Sequence, residues 1–246
     1  KDYTIVTSPN IAFGCLSAAD KYNNYYAAGS GQNGLVVYDK SGMSVFNISG
    51  WVDWNFYLFQ YNNLGNPQWG LYSYTNSGSG FYTVCSKNDY IYLYVNSPVD
   101  NLQDLRIRHT DGTLYNTFVS LDVLKTIIIR CDLQGHINMI IPCLGDPSSG
   151  GAVDPRITAD ETDNSFYVGT MLEKYSVLYD GVAPGLNEPQ NPYFIRGGNI
   201  GWFGYIVKYD ESGKRQWVNR FYEDYFDYIE ALTVSGLYLY ATVMYN

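Results

Sequence analysis

Apolar residues fall in short runs separated by clusters of Gly, Asn, Asp and Pro, and no stretch sustains a helical period, so the pattern predicts strands joined by tight turns. Three segments, 56–69, 126–139 and 204–217, align without a gap. Each reads strand, turn, strand. In each, an Asn or Asp (Asn62, Asp132, Asp210) stands three residues before a Gly (Gly65, Gly135, Gly213), and a large apolar residue (Trp69, Met139, Trp217) follows four later. The Asx side chain can accept from backbone N–H groups within the turn, while Gly takes the positive φ that closes a short loop. The trailing Trp or Met is then expected on a core face, where replacing Trp69 or Trp217 by Ala would cost about 3–5 kcal/mol.

A second family of segments, 11–29, 81–95, 156–170 and 228–244, leads from an apolar run through a polar break into an aromatic strand, as at Tyr90, Tyr92 and Tyr94. Between the two families Asp39, Asp111 and Asp180 each begin a Gly-containing turn. The hairpin copies are 70 and then 78 residues apart, so each unit offers four strands. A four-stranded antiparallel sheet cannot bury both faces alone, whereas radial stacking of such sheets covers them. The expected fold is therefore all-β: one β-propeller domain over residues 1–246, with blades at 11–73, 81–143 and 156–222 and a partial blade at 228–246. About three and a half blades imply either a fragment of a larger ring or an incomplete four-bladed ring, with residues 1–7 adding an outer strand to the last blade. A β-sandwich with accidental internal similarity is the rival architecture.

The third copy carries a family resemblance. Ser165-Phe-Tyr-Val-Gly169, followed by Tyr205-Ile-Val-Lys-Tyr-Asp-Glu-Ser-Gly213 and Trp217, resembles the SBBP β-propeller repeat at nearly every signature position. The first copy departs from it at Gln60 and Asn62, and the second at Arg130, Cys131 and Met139. The inserted Asp-Gly turn and the Tyr- and Asn-rich composition are similar to the diverged repeats of large DNA viruses with AT-rich genomes. The resemblance implies a scaffold or interaction surface, with a virion or extracellular location, and carries no catalytic residue set.

Composition agrees with strands and turns: aromatics are 17% of the chain, with 26 Tyr and 24 Gly. A net charge of −9 removes the electrostatic footprint of a protein that neutralises phosphates, so nucleic acid is not expected as a partner. No run of eighteen apolar residues predicts membrane insertion, and the chain opens at Lys1 rather than Met, which leaves room for a leader or further sequence. Cys15, Cys85, Cys131 and Cys143 lack metal-binding or redox spacing and are expected as buried free thiols.

Candidate chemistry is sparse. His109 and His136 sit in no metal-ligand or nucleophile motif and are expected as turn residues, His136 facing solvent. Asp160, Glu161 and Asp163 form one acidic cluster and Glu223, Asp224 and Asp227 another; both read as solvated loops ahead of calcium sites or glycosidase pairs. Asn47-Ile-Ser49 is a lone glycosylation sequon. Trp51, Trp54, Trp202 and Phe203 are assigned to the variable connections, where flat rings can stack on sugars or anchor a protein, although packing between blades explains them equally well. These observations favour a non-enzymatic structural or protein-interaction module without cofactor or metal. A lectin-like propeller binding a surface glycan is the alternative, and a glycoside-processing enzyme with paired carboxylates the third.

Overall fold

The computed structural model describes residues 6–7, 10–32, 34–49, 54–74, 80–96, 106–116, 124–144, 153–173, 176–182, 190–195, 202–221 and 228–244. Among them there are strands and turns and no helix. A short β1 (Val6–Thr7) comes first. The first unit follows as β2 (Asn10–Ala19), β3 (Tyr25–Gln32), β4 (Leu35–Tyr38), β5 (Ser44–Ile48), β6 (Asn55–Tyr61) and β7 (Pro67–Tyr74). The second is β8 (Gly80–Lys87), β9 (Tyr90–Asn96), β10 (Arg106–His109), β11 (Leu114–Asn116), β12 (Leu124–Asp132) and β13 (Ile137–Leu144). The third is β14 (Val153–Ala159), β15 (Phe166–Glu173), β16 (Val177–Asp180), β17 (Gln190–Phe194), β18 (Trp202–Tyr209) and β19 (Arg215–Arg220), and β20 (Tyr228–Ser235) pairs with β21 (Tyr238–Met244) after it.

Four strands of each unit form an antiparallel meander: β2-β3-β6-β7, β8-β9-β12-β13 and β14-β15-β18-β19. The remaining two strands of each unit go elsewhere. The β10–β11 hairpin of the second unit pairs with β7 of the first, and β16–β17 of the third pairs with β13 of the second, so two sheets grow to six strands. The β4–β5 hairpin takes β1 as its neighbour, Val6 opposite Val37, so β1 lies beside β4 rather than beside β21. The turns at Asp111 and Asp180 thus belong to hairpins that stitch one unit to the sheet before it, whereas the Asp39 turn belongs to the hairpin that pairs with β1. A four-strand count per unit from the sequence misses this exchange.

The sheets pack face to face with apolar layers between them. Tyr26, Phe56, Leu58 and Trp69 of the first unit share a buried cluster with Ile91, Leu93, Ile127 and Ile129 of the second. Tyr92, Tyr94 and Met139 share another with Phe166, Val168 and Tyr205 of the third, and Tyr167 and Ile206 meet Ile229 of β20. Strands β6, β9 and β12 are buried on both faces because a sheet lies on each side, which is why their sequences read as near-continuous apolar runs rather than alternating ones.

The three Asx-Gly hairpins have one geometry. Oδ1 of Asn62 accepts from the N–H of Leu64 and Asn66, and Oδ1 of Asp132 from those of Gln134 and His136. Oδ1 of Asp210 accepts from the Lys214 N–H and the Ser212 hydroxyl. Gly65, Gly135 and Gly213 have φ of 79°, 84° and 82°, the left-handed region that favours glycine. Trp69 and Met139 are 6% and 4% exposed, as a core position requires, but Trp217 is 40% exposed. The expectation that Trp217 is a core residue is corrected: the first two rest on the hairpin of the following unit, and no described hairpin covers Trp217.

Candidate functional site

The turns that join first to second strands and third to fourth strands lie together at one end of the stack, and a cleft of about 710 Å³ opens there between the first two units. Tyr22 and Asn24 come from the β2–β3 turn, Asp89 and Tyr90 from the β8–β9 turn, and Gln60, Asp132, Gln134 and Asn138 from the β6, β12 and β13 ends. Each turn is held from within. Asp20 is buried and accepts from the N–H groups of Tyr22 and Asn24, the Asn24 amide and the Tyr26 hydroxyl. Burial would raise the carboxyl of Asp20, but these four hydrogen bonds outweigh it and hold the group below its ordinary value.

The corresponding place between the second and third units is bridged by side chains. There Arg130 stands where Gln60 does in the first unit, and Glu211 follows Asp210 where Leu133 follows Asp132. Glu211 Oε1 accepts from the Tyr90 hydroxyl at 3.3 Å and the Asn164 amide at 3.2 Å, and Arg130 donates to the Glu211 carbonyl while its guanidinium lies 4.4 Å from the Tyr90 ring centre. Gln60 makes the equivalent bond, its Nε2 donating to the Leu133 carbonyl at 3.1 Å, but the Leu133 side chain has no oxygen with which to bridge the turns as the Glu211 carboxylate does, and the cleft lies there. The Gln134 carboxamide, Asn138 Nδ2 and the second oxygen of Asp89 have no partner among the described residues and are available to a ligand.

Charge in the cleft is arranged for a neutral or weakly cationic guest. Lys21 pairs with Asp89 at 2.8 Å, and the Arg130 guanidinium donates to two neutral acceptors, the Asn138 amide oxygen and the Glu211 carbonyl, while lying on the Tyr90 ring. The Asp132 carboxylate is turned toward its own hairpin. The Tyr22 ring can stack and the amides and the Asp89 carboxylate can hydrogen-bond, while the Tyr90 ring is taken up by Arg130 and its hydroxyl by Glu211.

The aromatic candidates that the structure describes do not line this cleft. Trp51 lies outside the described residues. Trp54 is half-buried just before β6. Trp202 and Phe203 belong to strand β18 rather than to a connection, and Phe203 is buried beneath the Arg220 guanidinium, 3.7 Å from its ring centre. The structure does not gather them into one site. His109 is likewise no turn residue: it ends β10, is 5% exposed, stacks on Trp69 and faces the Gln134 carbonyl at 3.0 Å. His136 is solvent-exposed and stacks on His109.

Of the first acidic cluster, Asp160 caps its own turn through Thr162, Asp163 holds the Ser165 N–H, and Glu161 pairs with Lys87 at 2.6 Å. Glu223, Asp224 and Asp227 lie outside the described residues. Cys85 and Cys131 are free thiols; burial pushes Cys85 up to about 11 and Cys131 higher still, which keeps both protonated and unreactive at neutral pH. The side chains of Cys15 and Cys143 lie outside the description. The residues that line the cleft carry no sequence motif; only the Gln60-for-Arg130 and Leu133-for-Glu211 differences between repeat copies mark the place. No protein-family model and no curated protein matches the chain.

Proposed function

We propose that this chain is a propeller-type repeat module that acts by binding, with the cleft between its first two blades as the binding face. The observation that carries this reading is the contrast between two equivalent slots, one bridged by the Glu211 carboxylate and the other, with Leu133 in that place, holding a cleft with spare amide donors. A repeat that needed only to stack would seal both. The resemblance of 165–217 to the SBBP repeat supports the same reading, since it implies an interaction surface. The partner class is a polar protein segment, with the unmatched Gln134 and Asn138 amides meeting its backbone.

Tyr22, exposed at the cleft, favours a second reading, a neutral surface glycan, because an aromatic face beside amide and carboxylate groups is what a hydroxyl-rich, uncharged ring needs. Photo-crosslinking residues placed at Tyr22 and at Gln134, with Tyr238 as a distant control, separate the two. A protein adduct from both cleft positions and none from the control supports the first reading. Retention on glycans that is lost in Tyr22→Ala, without protein adducts, supports the second. Adducts from all three positions alike would remove the cleft from consideration.

A further inference from the structure

Gln60 is a buried amide with one half unused. It is 6% exposed and lines the cleft. Its Nε2 donates to the Leu133 carbonyl at 3.1 Å and to the Tyr26 hydroxyl oxygen at 2.8 Å. That orientation is fixed: the Tyr26 O–H itself donates to Asp20 Oδ2 at 2.8 Å, and a flipped amide would set its oxygen against the Leu133 carbonyl. Oε1 is what remains, and it has no partner among the described residues. Asp20, Tyr26 and Gln60 form one chain of hydrogen bonds that draws negative charge toward Oε1. A buried acceptor so placed is satisfied by a donor that enters the cleft.

The groups around it also call for a donor, and a charged one. Asp89 and Asp132 line the cleft, and among the described residues no Lys or Arg does. They lie at neighbouring strand ends, since Asp132 pairs with Tyr90 across β12 and β9, and Leu133 beside Asp132 is the residue that Gln60 grips. Asp89 gives one oxygen to Lys21 and keeps the other. Asp132 Oδ1 is taken by its own turn, while Oδ2 faces His136 at 3.3 Å. Asp20, buried behind Tyr26, adds a third carboxylate. Against these stands the Lys21 ammonium, 5.2 Å from the Tyr22 ring centre, while Arg130 and Glu211 meet at Tyr90 and bring one charge of each sign. The balance is acidic, as it is for the whole chain at −9.

The neighbouring slot shows what such a place holds. Arg130 stands between Tyr92 and Met139 across its strands as Gln60 stands between Tyr26 and Trp69. Its guanidinium donates to the Asn138 amide oxygen at 2.8 Å and to the Glu211 carbonyl, and lies 4.4 Å from the Tyr90 ring centre. Gln60 reaches the equivalent carbonyl with a shorter side chain that brings no charge. We propose that the cleft receives the guanidinium of an arginine side chain from the partner segment, donating to Gln60 Oε1 and pairing with the carboxylates of Asp89 and Asp132. This rests on the reading of the cleft as a protein-binding face and names the side chain that face selects. A planar guanidinium presents five N–H donors to acceptors spread around it and can lie on the Tyr22 ring, whereas an ammonium reaches fewer of them at once. Gln134 and Asn138 remain for the backbone of the segment.

Two blocked tripeptides test it on the whole isotope-labelled chain at neutral pH and low salt: acetyl-Gly-Arg-Gly-amide and its citrulline counterpart, which keeps the shape and loses the charge. In a chemical-shift titration the arginine peptide should move the side-chain amides of Gln60, Gln134 and Asn138 in a saturable way, and the citrulline peptide should bind at least about tenfold more weakly. Asp89→Asn combined with Asp132→Asn should weaken the arginine peptide by at least about tenfold as well. The pair keeps the fold, because Asn62 caps the first hairpin as Asp132 caps the second and Asp89 lies in an exposed ion pair; an unchanged thermal midpoint checks this. Equal binding of both peptides at the cleft, or binding indifferent to the two substitutions, would overturn the arginine assignment and leave the cleft as a protein-binding face. Cleft amides that respond to neither peptide would overturn it too, and the crosslinks at Tyr22 and Gln134 then decide separately whether the cleft binds protein.

Discussion

At the scale of single residues, the same side chain in the same repeat position has a different energetic weight according to what lies on it. Trp69 is sandwiched by Gly135, Tyr26 and His109 and donates to the Leu133 carbonyl, so Trp69→Ala opens a cavity and removes one of the two donors to that carbonyl. It should lower stability by about 3–5 kcal/mol. Trp217, at 40% exposure, should lose less than about 1.5 kcal/mol on the same change. Chemical denaturation of both variants checks the pair, and equal losses would mean that Trp217 is covered after all. Asp20 gives a pH-dependent counterpart. Its folded pKa lies below the unfolded value of about 4, so its stabilisation is complete above that value and disappears as pH falls through the folded one. Asp20→Asn should therefore cost about 1–3 kcal/mol at neutral pH, with the gap to wild type closing below about pH 4. A gap that persists at pH 2 would contradict the hydrogen-bonded carboxylate.

At the scale of elements, the inserted hairpins are what tie one unit to the next. Beyond the β10–β7 ladder, Thr110 N–H donates to the Gly70 carbonyl and Thr110 Oγ1 accepts from the Gly70 N–H, and Ile107 is fully buried among residues of both units. Ile107→Ala should cost about 2–5 kcal/mol, and it should loosen β7 and β10 together when amide exchange is followed strand by strand. Loss confined to β10–β11 would show that the hairpin decorates the sheet without supporting it. The strands and the three Asx-Gly turns were legible in sequence because their physics is local: an Asx acceptor, a Gly at positive φ and apolar runs on either side. The destination of the inserted hairpins was not, because their pairing with the preceding sheet is set by packing between units. The cleft was hidden for the same reason. It lies where Leu133 stands in place of Glu211 across an interface, which no single segment displays. Trp202 and Phe203 were placed in a connection because the apolar run of β18 looked to begin later; the strand extends back to pair Trp202 with Glu173.

At the scale of the whole molecule, burial is graded along the stack. The layers between the first and second sheets and between the second and third are broad and continuous, whereas among the described residues the layer under β20–β21 buries three, Tyr167, Ile206 and Ile229. Strand β21 exposes Tyr238, Tyr240 and Met244 to solvent. In a stack where each sheet is held by its neighbours, opening free energy follows the neighbours a sheet has, so local unfolding should start at β20–β21 and reach β9 and β12 last. Hydrogen exchange at low protein concentration should find β21 amides exchanging orders of magnitude faster than those of β12. A gradient that runs the other way, with the first sheet opening before β20–β21, would show that stability here is not set by stacking.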